Sequence, residues 1–159
     1  MRKLWNRPNQ AVWSLATTDQ NEVGNMNICT YVSAVSMEPK LMMVAVYHNT
    51  KTHANVIACR RAVLQLLSED LASVTKVCGH LSGNSVDKVT RLKKRFPLSD
   101  CNGIPYFTGC VGYLELELQK LLPIDGDHDL AIFNVLKHKN LHDTPILTTD
   151  YMRSKGLLR

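Results

Sequence analysis

Residues 25–53 place the tightest constraint on how this chain folds. Two stretches rich in apolar and β-branched residues, 28–36 and 41–47, lie on either side of Glu38 and Pro39. Such runs favour strands, and a proline between them marks a turn because it cannot donate to a strand ladder. We therefore expect two strands joined by a turn, against which the rest of the chain packs.

A polar segment, residues 48–53, follows the second run and precedes a helical pattern at residues 54–60. The N-terminus of a helix presents backbone N–H groups without intrahelical acceptors and the positive end of the helix dipole. This segment adds two hydroxyl groups and an ammonium group, in Thr50, Lys51 and Thr52. The combination predicts an anion site that suits a phosphate group.

Length and hydropathy narrow the class of protein. A chain of 159 residues is long enough for one domain with its own core, and we expect a single domain over residues 1–159, with 1–10 as an N-terminal extension. No apolar run approaches the roughly 18 residues of a membrane span. The basic N-terminus lacks the apolar segment of a signal peptide. We expect a cytoplasmic protein without a membrane partner.

The net charge of +5 raises the question of nucleic-acid binding. The densest basic cluster falls on one predicted amphipathic helix and has little aromatic interleaving: Lys88, Arg91, Lys93, Lys94 and Arg95. This pattern is typical of a solvated helix face, so we predict no nucleic-acid partner. Modest positive charge also suits an enzyme that binds phosphorylated cofactors.

Cysteine and histidine spacing indicates neither a disulfide framework nor a metal site. The five cysteines are widely spaced without a C-x-x-C motif, and the six histidines lack H-E-x-x-H spacing. No metal is therefore predicted. The cysteines are interpreted as reduced, buried residues.

Along the chain, strand patterns alternate with a few helical ones. Strands are predicted at residues 11–18, 28–36, 41–47, 62–67, 110–122 and 130–136. Helices are predicted after the polar segment, over 68–79 and over 85–95, while 97–105 reads as irregular. The regular βαβ alternation of a doubly wound fold is missing. A closed or split antiparallel barrel of about six strands, with two or three inserted helices, fits this order best.

Catalytic motifs are scarce. No nucleophile triad or P-loop is recognisable, and Glu115 and Glu117 alternate along one face of a strand that we expect to be solvent-facing. A second polar insertion, Gly126-Asp127-His128, separates two apolar strands. It is interpreted as ordinary turn chemistry or as a ligand contact, and the residues alone leave both readings open.

Several separated motifs, in order, resemble the flavin reductase-like proteins, the FMN-binding split-barrel group that includes short-chain NAD(P)H:flavin oxidoreductases and flavoredoxin. The resemblance covers the chain from about Ala11 to the C-terminus. The matching segments are N-x-x-x-x-T-Y-V-S-x-V-S-x-x-P at 25–39, the Thr-His pair at 52–53, L-S-E-D at 67–70, L-S-G-N-S-V-D-K at 81–88, G-C-V-G-Y-L-E at 109–115 and G-D-H at 126–128.

This resemblance implies a mainly β fold, a six-stranded antiparallel Greek-key split barrel, and a homodimer with one FMN per subunit. It places Thr30, Tyr31, Val32 and Ser33 along the isoalloxazine ring, and Ser36 by the ribityl chain or phosphate. The phosphate is expected at Asn49, Thr50, Lys51 and Thr52, where the unpaired N–H groups and the dipole of a helix N-terminus independently predict an anion. Ser82, Gly83 and Lys88 are expected to line the flavin from a loop, and His128 to lie near the ring as the catalytic residue.

The implied function is an FMN-binding oxidoreductase, a flavin reductase that passes electrons from NAD(P)H to free flavin or to a partner such as a monooxygenase. An FMN-binding electron carrier without nicotinamide-dependent turnover is the alternative. A split barrel that has lost flavin and binds another small ligand, such as haem or a nucleotide, is a third reading.

Overall fold

A curled sheet of seven antiparallel strands forms most of the structure, a computed structural model that describes residues 3–158. A separate two-stranded hairpin, β6–β7, is inserted before the last two strands of the sheet. In chain order the strands are β1 (Trp13–Thr18), β2 (Gly24–Cys29), β3 (Val32–Ser36), β4 (Leu41–Tyr47), β5 (Arg61–Leu66), β6 (Leu98–Cys101), β7 (Ile104–Phe107), β8 (Gly112–Leu122) and β9 (His128–Asn140).

The strand order β2-β1-β5-β8-β9-β4-β3 shows how far the sheet curls. Strands β2 and β3 are its two opposite edges, yet only Thr30 and Tyr31 join them. From Cys29 to Val32 the chain spans at most about 11 Å, so the adjoining ends of the two edge strands lie close together. The sheet therefore forms a half-barrel that is split between β2 and β3. Strand β4 lies beside β9 rather than β5, so the connection through α1 crosses from one part of the sheet to another.

The prediction of six strands is wrong by one. Residues 28–36 were expected to form a single strand, but the run divides at Thr30 and Tyr31. Cys29 pairs with Trp13 of β1, whereas Val32 pairs with Val44 of β4, so the chain changes partner within three residues. A run of β-favouring residues does not reveal such a change, because both halves have the same composition.

Helices occupy the connections between strands, as predicted. They are α1 (Lys51–Cys59), a 3-10 helix (Glu69–Val74) that continues into α2 (Thr75–Cys78), α3 (Lys88–Lys93), α4 (Thr149–Ser154) near the C-terminus, and a short N-terminal 3-10 helix (Leu4–Asn6). The helix predicted over 85–95 is shorter, because Asp87 caps its start by accepting a hydrogen bond from Thr90 N–H. Among residues 3–158, no helix has the length and apolar character needed to cross a membrane.

Two apolar clusters hold these elements together. The first fills the inside of the curl, with α1 packed across it through Val56, and its members are Leu15, Val44, Val46, Val56, Ala62, Leu64, Leu116, Leu118, Ala131 and Phe133. The second lies between the outer face of β1, β2 and β5 and the insertion that carries α2, α3 and the hairpin. Alternate side chains of β1 and β5 pack into the two clusters, which explains why both strands are buried on both faces.

The β6–β7 hairpin corrects two further expectations. Residues 97–105 were predicted to be irregular, but Asn102 (φ 51°) and Gly103 (φ 83°) make a tight turn between two strands. The Asn102 side-chain amide donates to Glu115 at 2.7 Å, and Arg61 also contacts this carboxylate. Glu115 is therefore buried rather than solvent-facing, while Glu117 is exposed as expected.

Candidate functional site

A long groove runs along the junction of β2, β4 and the start of α1. It consists of two connected cavities that share Asn27, Ile28 and Tyr47 in their walls. The larger, of about 360 Å³, is called here the anion end, and the smaller, of about 260 Å³, the aromatic end. The larger cavity alone falls in the range of about 300–1,000 Å³ that small-molecule sites occupy.

The first turn of α1 forms one wall of the anion end. Asn49 (φ 60°) turns the chain out of β4, and the Thr50 hydroxyl then caps the helix by accepting from His53 N–H at 3.2 Å. The same hydroxyl donates to the carbonyl of Tyr47 at 2.8 Å, which fixes the helix start against the strand end. Thr50, Lys51 and Thr52 all line the cavity, so the positive end of the helix faces it.

A buried hydrogen bond fixes the position of Thr52. Its hydroxyl accepts from the side-chain amide of Asn25 on β2 at 2.9 Å, and both residues are almost fully buried. Gly83 packs directly against this pair, because a Cβ atom there would lie 2.2 Å from Asn25 Oδ1 and 3.2 Å from Lys51 Cβ. Only glycine allows the 82–83 loop to approach the α1 N-terminus so closely, and this approach forms the opposite wall of the anion end.

Two lysines add positive charge. Lys88 is buried in the cavity wall, where its ammonium donates to the carbonyl of Cys78 at 2.8 Å, and this burial lowers its pKa. Lys51 Nζ lies 3.3 Å from Asp19 Oδ2. The pKa of Asp19 is lowered, chiefly by the backbone N–H of Val23 and also by Lys51. A buried ammonium that bonds a neutral carbonyl favours a bound anion, because an anion offsets the cost of removing that charge from water.

Asn27 lies where the two cavities meet. Its amide oxygen is buried and accepts no hydrogen bond from the residues that the structure describes. Buried side-chain acceptors are normally paired with protein or with a bound molecule. An N–H or hydroxyl group of a ligand in the groove would supply the missing donor.

Three aromatic rings meet at the aromatic end. The ring of His128 lies 5.0 Å from that of Tyr47 and 5.7 Å from that of Tyr31, both edge-on. His128 Nδ1 is 2.6 Å from Asp127 Oδ1, and this hydrogen bond is the main cause of the lowered pKa of Asp127. Within residues 3–158, Nε2 of His128 has no hydrogen-bond partner, so it is available to a ligand. Thr30 completes this wall.

The structure brings most of the predicted site residues to this groove. Thr30, Tyr31 and His128 line the aromatic end, while Thr50, Lys51, Thr52, Ser82, Gly83 and Lys88 line the anion end.

Four predicted residues do not line either cavity. Asn49 lines a separate groove beyond α1, and its carbonyl accepts from the amide of Asn84. Val32 packs against the inner apolar cluster, and Ser33 is exposed with its hydroxyl donating to the carbonyl of Ala34. Ser36 lines an apolar groove on the outside of β3.

Sequence reasoning missed several residues of the groove: Asn25, Asn27, Ile28, Tyr47, Cys78, Gly79, His80 and Leu81. Asn25 and Asn27 lie two apart on β2 and therefore point to the same face. Two amides on one face of an otherwise apolar run are a signal for a polar ligand, and that spacing was visible in the sequence. The groove as a whole pairs a positive, hydrogen-bonding end with an aromatic end, an arrangement that suits an aromatic ligand bearing a phosphate.

One curated protein resembles most of this chain. An uncharacterized protein of Archaeoglobus fulgidus is 27% identical over 115 residues, which are 72% of this chain and 64% of that protein. Thus the chain spans somewhat less than two thirds of the length of this curated relative.

Two solved structures share the fold at low identity. The FMN-binding protein of Thermus thermophilus with bound 1-cyclohex-2-enone is 21% identical, with a TM-score of 0.75 over 88% of this chain and 75% of that one. An NADH:FAD oxidoreductase of Streptomyces globisporus is 16% identical, with a TM-score of 0.81 over 92% and 85%. The model of the flavin reductase like domain matches residues 7–154 of the sequence. This chain is therefore a member of the flavin reductase-like domain family.

Proposed function

We propose that this protein is an FMN-binding oxidoreductase, an NAD(P)H-dependent flavin reductase that delivers electrons to free flavin or to a partner protein. One observation carries the proposal. A single groove joins a positively charged helix N-terminus to a cluster of aromatic rings, with an unpaired amide oxygen between them. A flavin mononucleotide has a phosphate, a polyhydroxyl chain and an aromatic ring in that order.

The residues of the anion end fit the phosphate. The N–H groups at the start of α1, the Thr52 hydroxyl and the Lys51 ammonium offer donors around one position. Thr52 already accepts a bond from Asn25, and a hydroxyl that accepts can still donate. Lys88 contributes charge, and Ser82 contributes a hydroxyl from the facing loop.

The middle and aromatic parts of the groove fit the remainder of the cofactor. Asn27 accepts from a hydroxyl of the ribityl chain or from a ring N–H, and Thr30 and Tyr31 flank the isoalloxazine. When bound, FMN supplies a ring that accepts a hydride and releases electrons. In this proposal His128, oriented by Asp127, positions the nicotinamide donor beside that ring, while Tyr31 and Tyr47 exclude water from it.

We further propose that the protein forms a homodimer through the outer surface of β3. This edge strand exposes Val35 (50%), the turn after it exposes Met37 (89%), and an apolar groove of about 340 Å³ lies next to them. An exposed apolar edge strand is unfavourable in a monomer and suits a subunit interface. A second subunit here also covers Ser33 and Ser36, which is how these residues become part of the proposed cofactor site. The substitution Val35→Lys is expected to shift the protein from dimer to monomer in light-scattering measurements.

The names of two proteins with the same fold support the proposed chemistry, since one is an FMN-binding protein and the other an NADH:FAD oxidoreductase. The direct test is steady-state oxidation of NADH and of NADPH with added FMN or FAD. Turnover with at least one donor, dependent on the protein and on flavin, is expected. Retention of FMN with no turnover from either donor would favour an electron carrier. Failure to bind FMN at all would overturn both functions.

A further inference from the structure

Three side chains outside the groove meet on the far side of α1. His48 Nε2 lies 2.9 Å from Asp129 Oδ1, and His53 Nε2 lies 2.8 Å from Asp129 Oδ2. One potential ligand atom from each of the three residues lies within 4.8 Å of the others. We call these residues the histidine–aspartate cluster.

Three different elements hold the cluster in place. Strand β4 pairs with β9 so that Val46 lies opposite Asp129, which brings the end of β4 and His48 over the Asp129 side chain. His48 N–H also donates to the carbonyl of Asp127 at 3.0 Å. His53 lies in the first turn of α1, whose start is fixed by the Thr50 cap. The cluster therefore rests on paired strands and a capped helix rather than on a free loop, which is the support that a precise site needs.

The geometry of the three groups matches a metal-ligand set. Imidazole nitrogen and carboxylate oxygen bind divalent zinc and related metals at about 2.0–2.2 Å. Two ligand atoms at that distance from a metal lie about 2.9 Å from each other when the angle at the metal is 90°, and about 3.3 Å from each other in a tetrahedral site. Each histidine nitrogen lies at such a distance from one of the two oxygens of Asp129, at 2.9 Å for His48 and 2.8 Å for His53. One ligand atom from each residue lies within 4.8 Å of the others, so modest side-chain movements bring the three groups around one ion.

Charge and access favour a cation at this position. The carboxylate of Asp129 faces both histidine rings, and each of its two oxygens is paired with one of them. The groove above the cluster has a volume of about 710 Å³, and its walls contain neither lysine nor arginine among the residues that the structure describes. The His48 side chain is 33% exposed and that of His53 19%, which leaves a path for an ion and room for water ligands.

We propose that His48, His53 and Asp129 bind one divalent transition-metal ion of the zinc class, with water completing its coordination. This site is distinct from the flavin groove and does not depend on the proposed reductase function. Because His48 and His53 bracket residues 49–52, the ion would tie the start of α1 to β9. Binding in the folded state alone also stabilises that state by mass action.

The test is a titration of the untagged protein, without flavin, with Zn²⁺ by calorimetry and with Co²⁺ by visible absorption. The wild-type protein is expected to bind one ion per chain, with a higher melting temperature in excess Zn²⁺. The substitutions His48→Gln and His53→Gln each remove one ligand and are expected to weaken binding by about tenfold or more. His138→Gln, at an exposed position of β9, is the matched control and should bind as the wild type does.

Asp129→Asn provides a further variant, and the two histidine variants keep the test decisive if it fails to fold. The proposal is overturned if the wild type binds no Zn²⁺ beyond the level of the His48→Gln/His53→Gln double variant. In that case the cluster is a hydrogen-bonded tie between β4, α1 and β9 and nothing more. Equal loss in the His138→Gln control would likewise assign the binding to surface histidines and overturn the proposal.

Discussion

The side-chain amide of Asn25 donates to the hydroxyl of Thr52 across 2.9 Å in a buried position. This bond joins the start of β2 to the first turn of α1, and Gly83 packs against it from the facing loop. The three residues thus connect a strand, a helix N-terminus and a loop at the anion end of the groove. The shape of the proposed phosphate site depends on this contact.

Substitution of Gly83 by alanine should disturb the anion end. The added Cβ would lie 2.2 Å from Asn25 Oδ1, so either the Asn25–Thr52 bond breaks or the loop moves outward. We expect the free energy of unfolding to fall by about 1–3 kcal/mol, as overpacking typically costs, and FMN to bind more weakly. Gly126→Ala is the control, because its Cβ would meet only Ile124 at 3.7 Å. Urea denaturation measures the free energy of unfolding of both variants. Equal losses of stability would mean that Gly83 has no special packing role.

Loss of the donors at the start of α1 should weaken FMN far more than riboflavin. In the double variant Lys51→Ala/Thr52→Val, two charge-assisted bonds to the phosphate are removed, each worth about 1.5–3 kcal/mol, so the Kd for FMN should rise by roughly 100-fold or more. Riboflavin, which has no phosphate, reports any general damage to the groove. Quenching of flavin fluorescence gives both constants, with Lys93→Ala on the exposed side of α3 as the control. An equal loss of affinity for the two ligands would show that the phosphate does not bind at this position.

The buried Glu115 should make stability depend on pH. Burial acts to raise the pKa of this carboxyl, but hydrogen bonds from Asn102 and Arg61 outweigh it and the pKa is lowered. Its contribution to stability is therefore present above the unfolded value of about 4.3 and is lost as the pH falls through the lower folded pKa. We expect the free energy of unfolding to fall in this acid range for the wild type and to change less for Glu115→Gln.

The neighbouring Glu117 is a matched control for this measurement, because it is exposed on the same strand. Glu117→Gln should keep the acid dependence of the wild type. If Glu115→Gln and Glu117→Gln have the same pH profile of stability, the ion pair with Arg61 contributes nothing specific.

His128→Ala should slow reduction of bound flavin by the nicotinamide donor while FMN affinity changes little. Loss of a group that positions the donor is expected to cost roughly 10- to 100-fold in the reduction rate. Anaerobic stopped-flow absorbance measures that rate directly, and His142→Gln controls for loss of an exposed histidine that lines neither the flavin groove nor the proposed dimer surface. Unaltered reduction kinetics would leave His128 with a structural role only.

The sequence was sufficient to predict the β4–α1 junction, because a local signal determines it. An apolar run, a polar segment with hydroxyls and a helical pattern follow one another there, and the structure confirms a helix start within residues 48–53, with Thr50 as its cap. The division at Thr30 and Tyr31 was not predictable in this way. It depends on which strands the two halves pair with, and that information lies in β1 and β4 rather than in the run itself.

Of the other features, one was visible in the sequence but was missed, and the rest could be recognised only from the fold. The turn at Asn102 and Gly103 has the Asn-Gly signature of a two-residue hairpin, so β6–β7 was within reach of the sequence. The burial of Glu115 was not, because the residue that covers it comes from that hairpin. The histidine–aspartate cluster was also hidden, since Asp129 is 76 residues from His53 and meets it only through the pairing of β4 with β9.

The central claim is that this groove binds a flavin whose phosphate lies at the start of α1. The most direct test is to titrate the flavin-free wild-type protein with FMN and with riboflavin under the same conditions. FMN is expected to bind at least about tenfold more tightly, because only FMN has the phosphate group that the start of α1, with Lys51, Thr52 and Lys88, is arranged to hold. Equal affinities for the two flavins, or no binding of either, would contradict it.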